Sequence, residues 1–265
     1  MITVMGATGN VGRPLVRALA AAGEQVTAVS RQKTPDVPDV PDGVRVAPVV
    51  ESALDGAEAL FLMVPGGFAP LDGLLAAARA AGVERVVLLS SQGVATGRHP
   101  SVPEDSVRAS GLKWTMLRPG GFASNAVQWA GSVRSSRQVV APFGDVALPV
   151  VDPEDIAAVA AVALRSGGSG EVYELTGPSP ITPRQQAAAI GDALGEPVAF
   201  VPQTRAEARA AMLGFMPEPV ADVTLDILGA PSPAEQRVSP DVERVLGRPP
   251  RPFSAWAARN TVAFK

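Results

Sequence analysis

Three glycines spaced three apart carry the first chemistry in this chain: Gly6, Gly9 and Gly12, in the run Gly6-Ala-Thr-Gly-Asn-Val-Gly12. Glycines at this spacing make a tight turn whose backbone N–H groups can approach an anion. A helix that starts at the last of them adds its positive end, and the two together suit a pyrophosphate. The same triplet also serves as a plain strand-to-helix turn, so its surroundings matter. Here the apolar Ile2 to Met5 precedes it as a strand. Val11, Leu15, Ala18, Leu19 and Ala22 then fall on one helical face that Gly23 can close. A second strand, Gln25 to Ser30, follows at the distance of a βαβ unit.

The end of that second strand bears on which dinucleotide is held. An acidic residue there suits the ribose hydroxyls of NAD, and an arginine suits the extra phosphate of NADP. This chain reads Ser30-Arg31-Gln32-Lys33, with no carboxylate until Asp36. Arg31 offers a planar donor fork and Ser30 a hydroxyl, so NADP(H) is favoured over NAD(H). Further along, His99 is the single histidine and Tyr173 the single tyrosine, and cysteine is absent. No thiol nucleophile, disulfide, thiolate metal site or multi-histidine cluster is expected, and neither flavin nor metal is called for. His99 is a candidate general acid, since imidazole titrates near working pH; it is also simply a residue of a loop flanked by Gly97 and Pro100.

These groups need a scaffold, and the chain supplies an alternation of apolar runs and helical segments. Val44 to Val49, Ala59 to Val64, Arg85 to Ser90, Trp114 to Arg118 and Gly170 to Thr176 read as strands. Leu71, Leu74, Leu75 and Ala78 mark a helix closed by Gly82. Asp152-Pro153-Glu154-Asp155 reads as a helix start, with Asp as cap and Pro in the first turn, and that helix runs to about Leu164. The pattern predicts an α/β Rossmann-type fold, a doubly wound parallel sheet. Residues 1–150 form the dinucleotide-binding domain, to which 151–177 add a helix and a strand. From 178 to 265 a small, mostly helical substrate-binding cap is expected: Thr182-Pro183 opens a helix to about Leu194, Pro197 to Val201 is extended, and prolines break the rest. Asp36 to Pro41 is a brief proline-rich loop.

Composition narrows the function classes. The 265 residues are 46% hydrophobic and 18% charged, with a net charge of −3, which describes a globular chain with no basic stripe for nucleic acid. No apolar run approaches the ~18 residues of a membrane span. The first strand begins at Ile2, which leaves no room for a signal peptide, so a cytoplasmic location is expected. The anticipated partners are a small aromatic substrate and, in its assembly, a second copy of the chain as a homodimer.

Taken in order, the motifs resemble the NmrA-like branch of the atypical short-chain dehydrogenases, including NAD(P)H:quinone oxidoreductase-like members. The resemblance rests on Gly6-Ala-Thr-Gly-Asn-Val-Gly12, Ser30-Arg31, Ala80-Ala-Gly-Val-Glu-Arg-Val-Val-Leu-Leu-Ser-Ser91, Ser110-Gly-Leu-Lys-Trp-Thr-Met-Leu-Arg-Pro-Gly-Gly-Phe122 with Asn125, Val151-Asp-Pro-Glu-Asp-Ile156, Tyr173-Glu-Leu-Thr-Gly-Pro178 and Arg244-Val-Leu-Gly-Arg-Pro-Pro250. It implies a cofactor lying over Gly6, Thr8, Gly9, Asn10 and Val11, with Arg31 at the adenosine phosphate. Met63, Val64, Pro65, Ser90, Ser91 and Pro119 to Phe122 would line the nicotinamide side.

The departures from the family are informative too. The Tyr-x-x-x-Lys pair with which ordinary short-chain dehydrogenases protonate a carbonyl is missing, because Tyr173 has Gly177 four residues on. In a His-x-x-x-Glu pattern anchored on Ser110-Gly111, Glu104 falls in place and His99 lies one residue too far upstream. After Val44 to Val49 the Asp expected to face the adenine is absent. What remains suits a quinone, which needs stacking and water exclusion more than an acid. Phe68, Ser91, Gln92, Phe122, Asn125, Trp129, Met212, Phe215 and Met216 are candidates to hold a flat aromatic guest, although each aromatic or Met is also an ordinary core residue. Three readings follow: an NAD(P)H-dependent reductase of a quinone or polyketide-type aromatic, including oxygenation of the bound hydroquinone without flavin or metal; a non-enzymatic NADP(H) redox sensor that binds a partner protein; and, ranked last, a carbonyl reductase or epimerase using His99.

Overall fold

The structure is a computed structural model and describes residues 1–30, 41–64 and 69–265. Its first elements are β1 (Ile2–Met5), α1 (Gly12–Ala21), β2 (Val26–Val29), β3 (Arg45–Ala47), β4 (Ala59–Met63), α2 (Asp72–Ala80), β5 (Arg85–Leu89), α3 (Gln92–Ala95), α4 (Val102–Ala109) and β6 (Lys113–Pro119). They are followed by α5 (Ala130–Ser136), β7 (Gln138–Ala141), α6 (Pro153–Ser166), β8 (Glu171–Leu175), α7 (Pro183–Leu194), β9 (Ala199–Pro202), α8 (Arg205–Met212), α9 (Glu218–Gly229), α10 (Pro233–Gln236), α11 (Asp241–Leu246) and α12 (Phe253–Arg259).

Seven strands form one parallel sheet in the order β3-β2-β1-β4-β5-β6-β8. The order reverses beside β1, which gives the α/β Rossmann arrangement and places its switch point between β1 and β4. Both faces of the central strands are buried, and that is why they are apolar nearly throughout rather than alternating. Leu60, Leu62, Val86, Leu88 and Met116 share a core with Leu75 and Ala78 of α2 and Val107 of α4. The intervening Phe61, Val87 and Leu117 are equally buried and point to the other face, where α6 packs over β4, β5 and β6. Each such side chain contributes about 1.5–3 kcal/mol by leaving water. In α1 the buried stripe is Leu15, Val16 and Leu19. Ala18 and Ala22, expected on that face, are exposed, and Val16 takes the place beside Leu15.

Two compact units divide the chain, and they are interleaved. One comprises 1–119, 153–175 and 240–248, the other 120–152, 176–239 and 249–265. The pattern predicts instead a single boundary at 178. The physical reason for the difference is strand pairing: β8 extends the sheet only by returning beside β6, and α11 then packs against β8 and α6. Asp241 of α11 accepts the Glu174 N–H at 2.8 Å, and Arg244 lies 5.5 Å over the Tyr173 ring.

The second unit has its own core of Trp129, Val133, Val139, Ile190, Phe253, Trp256 and Phe264. A short 3-10 helix, Ala123–Trp129, leads into α5, and β7 pairs in parallel with β9. Helix α7 begins with a capping box in which Thr182 Oγ1 accepts from Gln185 N at 3.1 Å. The unit is thus mostly helical, and β7 is an addition that four residues of pattern do not reveal. Among the described residues no helix is long and apolar enough to cross a membrane.

Candidate cofactor and substrate site

Strand β1 ends at Met5, and the glycine turn follows at the switch point. Gly6 has φ +65° and its carbonyl accepts the Gly9 N–H at 2.9 Å. Gly12 starts α1 so close under this turn that a Cβ would stand 2.7 Å from the Gly6 carbonyl carbon and 2.8 Å from Ala7 Cα. Both obstacles are backbone, so a side chain is excluded there. Val11 precedes the helix with no side-chain cap, and the first turn carries no acidic residue. No side chain therefore caps this helix start, where the Arg13 N–H is held by Gly9 O at 3.1 Å and Pro14 has none, and no acidic residue of the first turn opposes a phosphate. This turn fits the pyrophosphate of a dinucleotide. Thr8 is half-buried, and Gly9 and Asn10 are exposed along it. The thioether of Met63, from the end of β4, fills the space that a Gly6 side chain would need.

Ser30 is buried at the end of β2, where its N–H bonds Ala47 O at 3.0 Å. Arg31, Pro65 and Phe68, and residues 36–40 of the proline-rich loop, lie outside the described residues. After β3 comes a 3-10 turn, Glu51–Ala53, and Val49, two residues past the strand and ahead of the position where the Asp is absent, is 52% exposed.

The end of β5 is built from side chains. Glu104 of α4 is fully buried. It accepts Ser90 Oγ at 2.6 Å, Arg118 Nε at 2.8 Å and Nη2 at 2.6 Å, and Arg108 Nη2 at 2.7 Å. Burial alone would raise its pKa, but the Arg118 guanidinium, Ser90 and Arg108 outweigh it and hold the carboxyl below the usual range. Glu104 in turn keeps Arg118 more firmly protonated than an isolated arginine. The hydroxyl of Ser90 is thereby fixed with its proton directed inward and its lone pairs available to a ligand.

One residue on, Ser91 caps α3: its Oγ accepts the Gly93 N–H at 3.1 Å and lies 3.0 Å from His99 Nδ1. Val64, Leu89, Ser90, Ser91, Val94, His99, Pro100 and Pro103 surround a cavity of about 190 Å³ beyond the ends of β4 and β5. Gln92 is buried at the start of α3. Tyr173 sits inside β8, where burial and the nearby Glu171 push its phenol up from 10.0, away from the range of a useful acid.

Residues 6–166 match the family described as NAD(P)H-binding. The chain belongs to that family. Among its relatives, the (4-alkanoyl-5-oxo-2,5-dihydrofuran-3-yl)methyl phosphate reductase of Streptomyces griseus is 37% identical, over 100% of this chain and 99% of that one. The NAD(P)H azoreductase of Xenophilus azovorans is 32% identical with the same coverage. Among solved structures, the NADPH-dependent quinone oxidoreductase QOR2 of Escherichia coli, complexed with NADPH, superposes with a TM-score of 0.80 at 25% identity, covering 98% of this chain and 99% of that one. NmrA, a negative transcriptional regulator solved with NADP, shares the fold as well. This NAD(P)H-binding chain is accordingly an oxidoreductase by kinship along its whole length.

Within the NAD(P)H-binding unit the sheet edge brings together Gly6, Thr8, Gly9, Asn10, Val11, Ser30, Met63, Val64, Ser90, Ser91, Gln92 and His99, with Pro119 buried at the end of β6. Phe122, Asn125, Trp129, Met212, Phe215 and Met216 belong to the second unit. There Trp129 is packed in the core, Phe122 is half-buried before the 3-10 helix, and Asn125 is exposed with its N–H on Phe122 O at 3.0 Å. Phe215 is 70% exposed between α8 and α9. Pattern reasoning misses Gly93, Arg108 and Arg118. The i,i+4 pair Glu104 and Arg108 was the available signal for the second of these.

Proposed function

We propose that this chain uses NADPH to reduce a flat, conjugated, electron-poor acceptor of the quinone or polycyclic aromatic class. The observation that carries the reading is similarity over the whole chain to two reductases, at 37% and 32% identity, together with likeness to a quinone oxidoreductase. The acceptors in those names are an acyl butenolide, an azo compound and a quinone. Each offers a polarised multiple bond in conjugation, able to spread the charge a hydride brings. Such an acceptor needs positioning more than a strong acid, which accords with a chain that has no Tyr-x-x-x-Lys pair.

The bound cofactor supplies hydride from its nicotinamide ring. The chain's part is to hold and orient: the Gly6–Gly12 turn takes the pyrophosphate, Arg31 the adenosine phosphate, and Met63, Val64 and Ser90 the nicotinamide side. Overall, quinone, NADPH and a proton give hydroquinone and NADP⁺. In a finer version of the same reading, the bound hydroquinone reacts with dioxygen before release and gives a hydroxyquinone and water. One oxygen atom replaces a ring hydrogen as hydroxyl, the other leaves as water, and the hydroquinone is the reductant.

The test is NADPH consumption by purified protein with naphthoquinones, anthraquinones and an azo dye, with dissolved oxygen followed in parallel. Acceptor-dependent consumption above protein-free controls is expected. NADPH binding with no consumption across the panel would overturn the reading in favour of a dinucleotide-binding regulator. Oxygen incorporated into the isolated product, beyond quinol autoxidation, selects the oxygenating version. For the cofactor, Arg31→Ala is expected to weaken NADPH by about tenfold to a hundredfold and NADH little, the size of a charge-assisted hydrogen bond. Equal losses for both would remove Arg31 from the phosphate site.

A further inference from the structure

At the end of β5 the side chains around His99 are arranged more closely than a loop histidine requires. Gly93 presses on the ring: a Cβ there would stand 2.7 Å from His99 Cγ and 2.8 Å from Cε1. The Gly93 carbonyl also accepts two consecutive N–H groups, Arg98 at 2.8 Å and His99 at 2.9 Å. The ring is thus seated on a bare backbone and tethered by the same residue. Its Nδ1 meets Ser91 Oγ at 3.0 Å, and that oxygen already accepts the Gly93 N–H at 3.1 Å. A serine hydroxyl both donates and accepts, so Ser91 holds Nδ1 in either protonation state of the ring. Ser90, by contrast, is committed to Glu104, whose charge is matched by Arg118 and Arg108. The ring borders the cavity beyond β4 and β5, among Val64, Val94 and Pro103, and is itself half-exposed, within reach of solvent protons.

We propose that His99 and Ser91 are the proton-delivery pair of the reductase, with Gly93 as the residue that positions them. The inference rests on the reductase reading and adds its missing proton donor. As the acceptor gains a hydride, the electron pair moves onto its carbonyl oxygen. The His99 imidazolium gives that oxygen a proton from Nε2: the N–H bond breaks, an O–H bond forms, and the ring is left neutral with Nδ1 still on Ser91. Solvent then returns the proton to Nε2. His99 is the catalytic acid in this scheme, and Ser91 and Gly93 act through it.

The experiment compares wild type, His99→Gln, His99→Ala, Ser91→Ala and Gly93→Ala at pH 6.5, using NADPH and a naphthoquinone, with NADPH affinity read from nucleotide fluorescence as the folding control. For His99→Gln, kcat is expected to fall by about a hundredfold, the lower end of general-acid effects, with NADPH affinity unchanged. Added free imidazole is expected to restore much of the kcat of His99→Ala, which a merely structural histidine would not allow. Gly93→Ala should lose kcat comparably and Ser91→Ala less. Unchanged kcat in His99→Gln, a change confined to KM, or no rescue by imidazole would each overturn the pair while leaving the reductase standing. A wild type that consumes no NADPH with any acceptor would overturn both.

Discussion

Two strand ends of one sheet solve different problems by different means. After β1 the backbone is the working surface: Gly6, Gly9 and Gly12 strip away side chains so that a helix start can approach a phosphate. After β5 the side chains are the working surface, and a buried carboxylate fixes one serine while the next serine holds the only histidine. The first design leaves no room for a side chain at Gly12, whereas the second surrounds a buried charge with partners. On the proposed reading, binding is a matter of shape at one end, and chemistry a matter of electrostatics at the other.

The sharpest way to break the contrast is Gly12→Ala. A methyl there must displace the Gly6 carbonyl or Ala7, so NADPH affinity is expected to fall by at least about a hundredfold, equivalent to some 2.7 kcal/mol or more. Fluorescence titration measures this. Affinity within a few-fold of wild type would show that the turn has slack and the backbone argument is wrong.

Comparable in size is Glu104→Ala, which takes from the half-buried Arg118 its hydrogen-bonded carboxylate and leaves it the weaker charge of Glu174. Loss of one partner of a buried pair costs about 3–5 kcal/mol, to be read from urea unfolding. The same carboxylate gives a pH signature. Its folded pKa lies below the ordinary 4.5, so its contribution is fully present above that value and is lost as pH falls through and below it. The unfolding midpoint of wild type should therefore drop from about pH 5 downward more steeply than that of Glu104→Ala. Parallel curves would mean that the carboxylate is not held charged by its partners.

The smallest expected effect is Ser90→Ala, which removes one hydrogen bond to a charged acceptor while both arginines stay. About 1.5–3 kcal/mol of stability is expected to go. On the proposed cofactor placement the Ser90 hydroxyl lies at the nicotinamide side, so the KM for NADPH should rise. A loss of stability with no change in KM would make Ser90 a purely internal residue and narrow the working surface at this end to Ser91 and His99.

Much of the scaffold is legible in the sequence because parallel strands buried on both faces are nearly continuous apolar runs. β1, β4, β5 and β8 each lie within the expected spans, and α7 begins at its Thr182 cap. Less legible is what depends on partners distant in sequence. Ala18 and Ala22 satisfy helical periodicity yet face outward, since alanine is equally at home on either side of a helix. β7 has four residues and exists through its pairing with β9. Glu104 reads as the Glu of a His-x-x-x-Glu pattern, and its bond to Arg118, fourteen residues on in another strand, is visible only in the fold. Gly93 carries no motif at all, and its need to be glycine appears when the His99 ring is laid against it.

By itself, then, the sequence determined the α/β sheet, the glycine turn, the family and the absence of a Tyr-x-x-x-Lys pair, because local spacing and residue type are sufficient for each. The tertiary structure decided that the two units interleave along the chain, that Glu104 is a buried anchor for Ser90, and that Ser91, Gly93 and His99 form one constellation. Those are contacts between segments that spacing leaves independent, and distance and burial in the folded chain fix them.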